Sequence, residues 1–311
     1  MTGANGFIGE AISRALIHHV FEVKCAIRQP FVLDGASILK ISGVDGQTDW
    51  SESLAGVECV IHTAARTHVI KDTAASPYEE FYKVNVAGTL NLAQQAVKLG
   101  VKRFIFISSI GVNGNHSSKP FNESDRPNPR EPYAVSKYEA EQKLMVLAKE
   151  TELQVVIIRP PLVYGLNAPG NFGSLMRWVN KGVPLPLGAI NNKRSLVALD
   201  NLVSFVIHCV DHPKAANEIF LIADGEDVST TELITQTAKA LGKRPLLMPV
   251  PVGLMQLAAK ILGQEAMANR LFGSLQINNA KAKELLGWKP AITMTEQLQK
   301  SADAKLNEKT I

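Results

Sequence analysis

Residues 2–9 read TGANGFIG, and the stretch from Gly9 to His19 then carries Ile8, Ala11, Ile12, Ala15 and Leu16 on one helical face. No other feature constrains the fold as tightly. Gly3, Gly6 and Gly9, in GxxGxxG spacing, allow a tight turn and a close backbone approach. The helix behind them offers free N–H groups and a positive dipole end to a pyrophosphate. The turn is therefore a candidate dinucleotide site that includes Phe7 and Ile8. Such a turn should follow a strand, yet only Met1 and Thr2 precede it. A late start codon, a fragment, or a sheet lacking most of a central strand would each account for this. The expectation is that several apolar residues belong upstream.

Strand and helix signals then alternate. Glu22–Ile27, Glu58–His62, Arg103–Ser108 and Gln154–Arg159 read as short apolar strands, and 82–99 and 133–149 as helices. This predicts an α/β fold: a Rossmann-like doubly wound parallel sheet covered on both faces, its first strand apparently truncated. Past Gly165 the rhythm breaks. NAPGNFG and KGVPLPLGA read as loops over a site, and the tail as a smaller, mostly helical lobe stopped at Gly287, Trp288 and Pro290. Residues 1–166 and about 194–224 are expected to form the dinucleotide-binding domain, and about 167–193 and 225–311 the substrate lobe. Val20 ends the first helix where glycine is common; a β-branched residue resists the left-handed conformation, so that corner is expected to turn differently. Arg28 stands where an acidic residue would grip the ribose of NAD, about 20 positions past the fingerprint. It could pair with the 2′-phosphate of NADP or be a solvated loop residue.

Residues 133–137 read YAVSK. Four apart on a helix, Tyr133 and Lys137 share a face. An ammonium beside a phenol lowers the phenol's pKa, which suits Tyr133 to proton transfer while a cofactor moves hydride. FISSIGVNG places Ser108 and Ser109 at a strand's carboxyl end, and Ser109 is the candidate partner of the reacting oxygen.

Composition removes other classes. Apolar residues make up 46% and charged residues 20% of the 311, the balance of a globular chain. The net charge of +4 comes from interleaved signs, so nucleic acid is not an expected partner. Cys25, Cys59 and Cys209 lie far apart in apolar runs, which suits a reducing compartment. The longest apolar stretch, near 250–262, is too short and broken to span a bilayer, so a cytoplasmic protein with no membrane partner is expected. None of the histidines (18, 19, 62, 68, 116, 208 and 212) has metal-ligand spacing, and no metal is expected.

Together the motifs resemble the extended short-chain dehydrogenase/reductase family, most closely its NAD-dependent nucleotide-sugar epimerases and reductases. HTAAR (62–66), NVAGTLNL (85–92), RPPLVYG (159–165), KRSLVALDNLV (193–203) and KELLGWKP (283–290) add to the likeness. The resemblance implies that Ser109, Tyr133 and Lys137 are catalytic. It implies cofactor contacts at Ala64, Ala65, Asn85, Tyr133, Lys137 and Pro160, with Asn85 also bracing the active-site helices. It offers Asn171 for the sugar diphosphate, with Arg194 and Arg270 as further candidates. A turn asparagine and surface ion pairs are the plainer readings of those three. Asn113 replaces the usual tyrosine and falls in the expected sugar pocket. Ile110 and Gly111 stand where the 4,6-dehydratases carry an Asp–Glu pair, and Ile110 where the 3,5-epimerase/reductases carry a cysteine. What remains is chemistry at C4 of a UDP-sugar with NAD or NADP: 4-epimerisation, or reduction of a 4-keto sugar. A reductase of sterol-like ketones and a non-catalytic NAD(P)-binding sensor are the other readings. The resemblance also implies a homodimer formed through the YxxxK helix.

Overall fold

The runs RFIFI and QVVIIR are apolar on alternate and intervening positions alike, which suits strands covered on both faces. The structure, a computed structural model describing residues 1–67 and 76–307, buries them that way. Its strands are β1 (Val23–Ile27), β2 (Ala36–Lys40), β3 (Cys59–His62), β4 (Arg103–Ile107), β5 (Gln154–Arg159), β6 (Leu162–Tyr164), β7 (Arg194–Ala198), β8 (Glu218–Leu221) and β9 (Asp227–Val228). The helices of the first half are α1 (Phe7–His18), α2 (Ser51–Leu54), α3 (Pro77–Phe81), α4 (Thr89–Lys98) and α5 (Pro132–Glu150). Those of the second are α6 (Gly170–Asn180), α7 (Leu199–Asp211), α8 (Thr230–Ala240), α9 (Val252–Ile261), α10 (Glu265–Phe272), α11 (Ala280–Leu286) and α12 (Met294–Asn307).

β3, β4, β5 and β8 pair in parallel in that order, and β1 pairs in parallel with β2. Thr2 bridges Ala26 on one side and His62 on the other, both in parallel. Met1 and Thr2 thus lie between β1 and β3, and the sheet runs β2-β1-(Thr2)-β3-β4-β5-β8, the doubly wound order. One face packs against α1, α7 and α11 through Ile12, Leu16, Phe205, Val206 and Leu286. The other packs against α4 and α5 through Leu92, Ala96 and Leu144. A further core, built on Phe172, Met176, Leu233, Ile234 and Leu298, joins α6, α8 and α12 beside the small sheet β6-β7-β9.

Two sequence expectations fail here. PGNFG opens α6 instead of a loop. Phe172, Leu175, Met176 and Val179 have helical spacing and are buried, and that burial outweighs the helix-weakening glycines. Val20 does not avoid the left-handed region but occupies it, at φ 64°. The Phe21 N–H donates to Leu16 O at 3.0 Å and the Val20 N–H to Ile17 O at 2.9 Å, the paired bonds of a Schellman stop. Those bonds hold the residue where its branched side chain is strained. Gly287 ends α11 at φ 69° without that strain. Val20 is 91% exposed and has little packing to lose. Val20→Gly should therefore stabilise the fold by about 1 kcal/mol: roughly 1–2 of strain relieved, less the entropy that glycine adds to the unfolded chain. Denaturant titration checks this, and a loss of stability would contradict it.

Candidate active site

The fingerprint turn is built as the chemistry requires. Gly3 has φ 68°, and a Cβ there would stand 2.7 Å from both Ala64 N and Thr63 Oγ1. A Cβ on Gly9 would collide with the Gly3 carbonyl oxygen. These two glycines let α1 seat against the loop after β3, while Gly6 is exposed on the open side. Gly6 caps α1 without any side chain, and the first helical bond runs from Glu10 N to Gly6 O. The N–H groups of Phe7, Ile8 and Gly9 therefore have no acceptor within the helix, an anion cradle fit for a dinucleotide diphosphate. The Phe7 side chain turns elsewhere, into a groove with Leu166, Leu199 and Gln297. Ala64 and Ala65 follow β3 and are half-buried. Arg28 is exposed directly beyond β1.

Tyr133 and Lys137 lie on the first turns of α5, against the carboxyl end of β4. The Lys137 ammonium is buried, donates to Ile107 O at 2.8 Å and sits 4.3 Å from the Phe106 ring centroid. Burial pulls its pKa down to about 7, with the Glu141 carboxylate opposing. Tyr133 is half-buried, edge-on to Phe81, and burial pushes its phenol up to about 12. In the chain by itself the shift is therefore upward, opposite to the expected lowering. Ser109 stands two residues past β4, half-buried, and its Oγ accepts the Gly111 N–H at 3.1 Å. Pro160 is buried, and its carbonyl accepts the Ile110 N–H, which fixes the turn after Ser109 against β5.

Asn85 binds this assembly together. It lies in a π-helical segment, Tyr82–Gly88, between α3 and α4. Its side chain accepts from Arg66 N at 2.8 Å and donates to Arg66 O at 3.0 Å and Ser136 Oγ at 2.9 Å. The loop after β3 is thereby tied to α5 between Tyr133 and Lys137. The 82–99 periodicity had indicated one continuous helix. Periodicity counts apolar positions and cannot register a single wider turn.

A buried cluster beneath Ser109 was not foreseen. Glu141 receives Arg159 at 2.5 and 2.9 Å and Ser108 Oγ at 2.5 Å, and all three are at most 3% exposed. Asn113 belongs to it as well: its Oδ1 accepts from Arg159 at 2.9 Å and its Nδ2 donates to Asn122 O. Buried at 2% exposure, Asn113 is committed to the protein's own network and does not line an open sugar pocket. The signal available was Glu141, one turn past Lys137 on the same helical face.

Arg194 and Arg270 come together beside α5. Arg194 donates to the carbonyls of Arg270 and Gly273, and Arg270 pairs with Glu131, the residue before α5, at 2.5 Å. Asn171 falls in the first turn of α6, and its side chain lies outside what is described. His68 is likewise outside the described residues. His62, buried between Thr2 and Thr89, is pulled down to about 3 by burial and stays neutral. Among the described residues no cluster of His, Cys, Asp or Glu could hold a metal, and no helix is long and apolar enough to cross a membrane.

The Lys137 value makes stability depend on pH. Its folded pKa near 7 lies below the ordinary 10.5, so between those values the unfolded chain binds more protons. Stability should rise with pH across that window, by up to about 1.4 kcal/mol per unit from this group. Lys137→Met should flatten the rise in urea titrations, and an unchanged slope would contradict it.

The fold and site define a Rossmann-type α/β protein with a Tyr–Lys pair at the carboxyl edge of its sheet. The chain belongs to the NAD dependent epimerase/dehydratase family, whose model matches residues 1–223. It is 44% identical, over 98% of its length and 94% of the relative's, to a UDP-glucose 4-epimerase of Vibrio cholerae. It is 28% identical to the N-acetyl-α-D-glucosaminyl-diphospho-ditrans,octacis-undecaprenol 4-epimerase of Escherichia coli O157:H7, over 85% of this chain and 81% of that one. In fold it is similar to the UDP-glucose 4-epimerase of Thermotoga maritima solved with UDP-glucose, at a TM-score of 0.78 and 24% identity, covering 99% and 98% of the two chains.

Proposed function

We propose that the protein is a 4-epimerase of a UDP-hexose or UDP-N-acetylhexosamine, working with NAD or NADP. The observation that carries this is the 44% identity along 98% of the chain to the Vibrio cholerae enzyme. The site chemistry agrees with it. Ser109, Tyr133 and Lys137 supply one proton-handling set, and Ile110 and Gly111 offer no second acid or base for dehydration. Gly3, Gly6 and Gly9 with the first-turn N–H groups of α1 hold the cofactor diphosphate, and Ala64, Ala65 and Pro160 border it. The bound cofactor supplies reversible hydride transfer at C4. Tyr133 takes the proton from the C4 hydroxyl and returns it, while Ser109 orients that oxygen. Lys137 holds positive charge beneath the phenol, and Asn85 keeps its helix aligned with the loop after β3. Asn171, Arg194 and Arg270 are placed with the substrate diphosphate; the two arginines would have to exchange present protein partners for it.

The chain is further assigned to the cytoplasm, as a homodimer through α5. Light scattering at the mass of one chain alone would remove the dimer. The function is tested by incubating the purified chain with UDP-glucose or UDP-N-acetylglucosamine and reading C4 configuration by NMR. Formation of the C4 epimer without net consumption of cofactor supports it. Stoichiometric use of NAD(P)H on a 4-keto sugar, with no epimer formed, would identify a reductase instead. Titration with NADH and NADPH decides the role of Arg28: a preference for NADPH that Arg28→Ala abolishes gives it the 2′-phosphate.

A further inference from the structure

Helix α9 has an apolar face with none of the described residues over it. Val252 and Met255 lean on the core of the C-terminal lobe, yet no residue of the helix is buried. On its other side Leu254, Leu257 and Ile261 follow helical spacing and stand 60%, 56% and 77% exposed, and Leu262, directly past the helix end, is 72% exposed. A helix apolar all round is ordinarily buried, and an exposed apolar patch marks an interaction site. Trp178, Leu246 and Met248 are exposed nearby in the same lobe. The two stretches that carry these residues are joined: Leu185 bridges Leu247, and the Lys243 ammonium donates to Asn180 O.

Charge decides between occupants. Residues 166–193 and 239–264 hold seven basic residues (177, 181, 193, 239, 243, 244 and 260) and no acidic one. The whole chain carries only +4, so the remainder is net negative, beginning with Glu265 directly past the second stretch. A second copy of this face would set like charges against each other. An anionic lipid surface matches both the charge and the apolar stripe. At 1.5 Å per residue the 10 residues of α9 reach about 15 Å, half of a bilayer core, so the helix can lie in the interface but cannot cross it.

We propose that α9 and its basic surroundings seat the protein on an anionic membrane surface. Leu254, Leu257, Ile261 and Leu262 enter the acyl boundary, and Lys243, Arg244 and Lys260 meet the headgroup phosphates. The expectation of no membrane partner rested on the lack of a spanning segment, which does not bear on a helix lying flat. This docking does not depend on the reaction proposed above, and its test uses no substrate.

The full chain is mixed with vesicles of phosphatidylglycerol and phosphatidylethanolamine, or of phosphatidylcholine alone, and pelleted. The expected result is pelleting with the anionic vesicles only, reversed by salt. Trp178 reports independently: Trp50 and Trp288 are buried, so a blue shift in emission on adding anionic vesicles arises at this lobe. Leu257→Glu with Ile261→Glu should weaken vesicle binding at least about tenfold, as losing two inserted aliphatic side chains requires. Lys243→Glu with Arg244→Glu, which leaves the apolar stripe intact, should weaken it too. If the glutamates lower the melting temperature, glutamine at the same two positions replaces them. Wild-type protein that stays in solution with every vesicle overturns the proposal. So do stripe variants that pellet like the wild type, or that instead split a larger vesicle-free assembly, which would give the face to a second copy.

Discussion

Tyr133→Phe should lower the rate of C4 epimerisation by about a thousandfold, the middle of the roughly 10²–10⁴-fold range for a positioned acid–base group. Melting temperature should be unchanged. The ring remains against Phe81, and only the hydroxyl is lost. Burial pushes that phenol up to about 12 in the chain alone, which makes it a proton donor by default. Acting as a base demands further positive charge. Lys137 supplies part of it, and the nicotinamide ring, cationic in its oxidised form, supplies the rest. A variant that epimerises as fast as the wild type would move the proton to another group.

Glu141→Gln should destabilise the protein by about 3–5 kcal/mol, the cost of leaving a buried partner charge uncompensated. The amide cannot neutralise the Arg159 guanidinium, which is 2% exposed and bound to Glu141 through three contacts of 2.5–3.2 Å. Urea denaturation measures the loss. The paired replacement Glu141→Leu with Arg159→Met removes both charges and should recover most of the stability. Turnover should not recover with it. Ser108 would lose its acceptor and Asn113 its donor, and the turn that carries Ser109 would keep only its backbone bonds to β5 and its own loop. Recovery of both stability and turnover would make the cluster a packing feature alone.

How much of this was legible in the sequence follows from the length scale of each signal. The fingerprint, the Tyr–Lys pair and the strand-end serines are local spacings, and the structure keeps them at one edge of the sheet. The parallel sheet was legible because RFIFI and QVVIIR have no polar face to offer solvent. The Arg159–Glu141–Asn113 cluster was not: its members come from three elements, and no local pattern links residue 113 to residue 159. Hence Asn113 was read as pocket when it belongs to the interior. At Val20 and in PGNFG the residue propensity was read correctly but was overridden, by the helix's own closing hydrogen bonds in the first case and by core burial in the second. The outward stripe of α9 was visible as apolar spacing, but spacing cannot say which side of a helix meets solvent.

The π-helical turn at Tyr82–Gly88 has a consequence for which lengths of this chain can work. A π turn is an α-helix holding one residue more than its pitch requires. Insert a further residue between Phe81 and Asn85, or close the wide turn with the count kept, and Asn85 swings by up to about 100° around the axis relative to α3. It would then have to leave either Arg66 or Ser136. Surface loops tolerate insertions and deletions because nothing counts their residues. Here the count itself is the functional element: a helix whose sequence can drift, position by position, but which cannot take a further residue without turning Asn85 away.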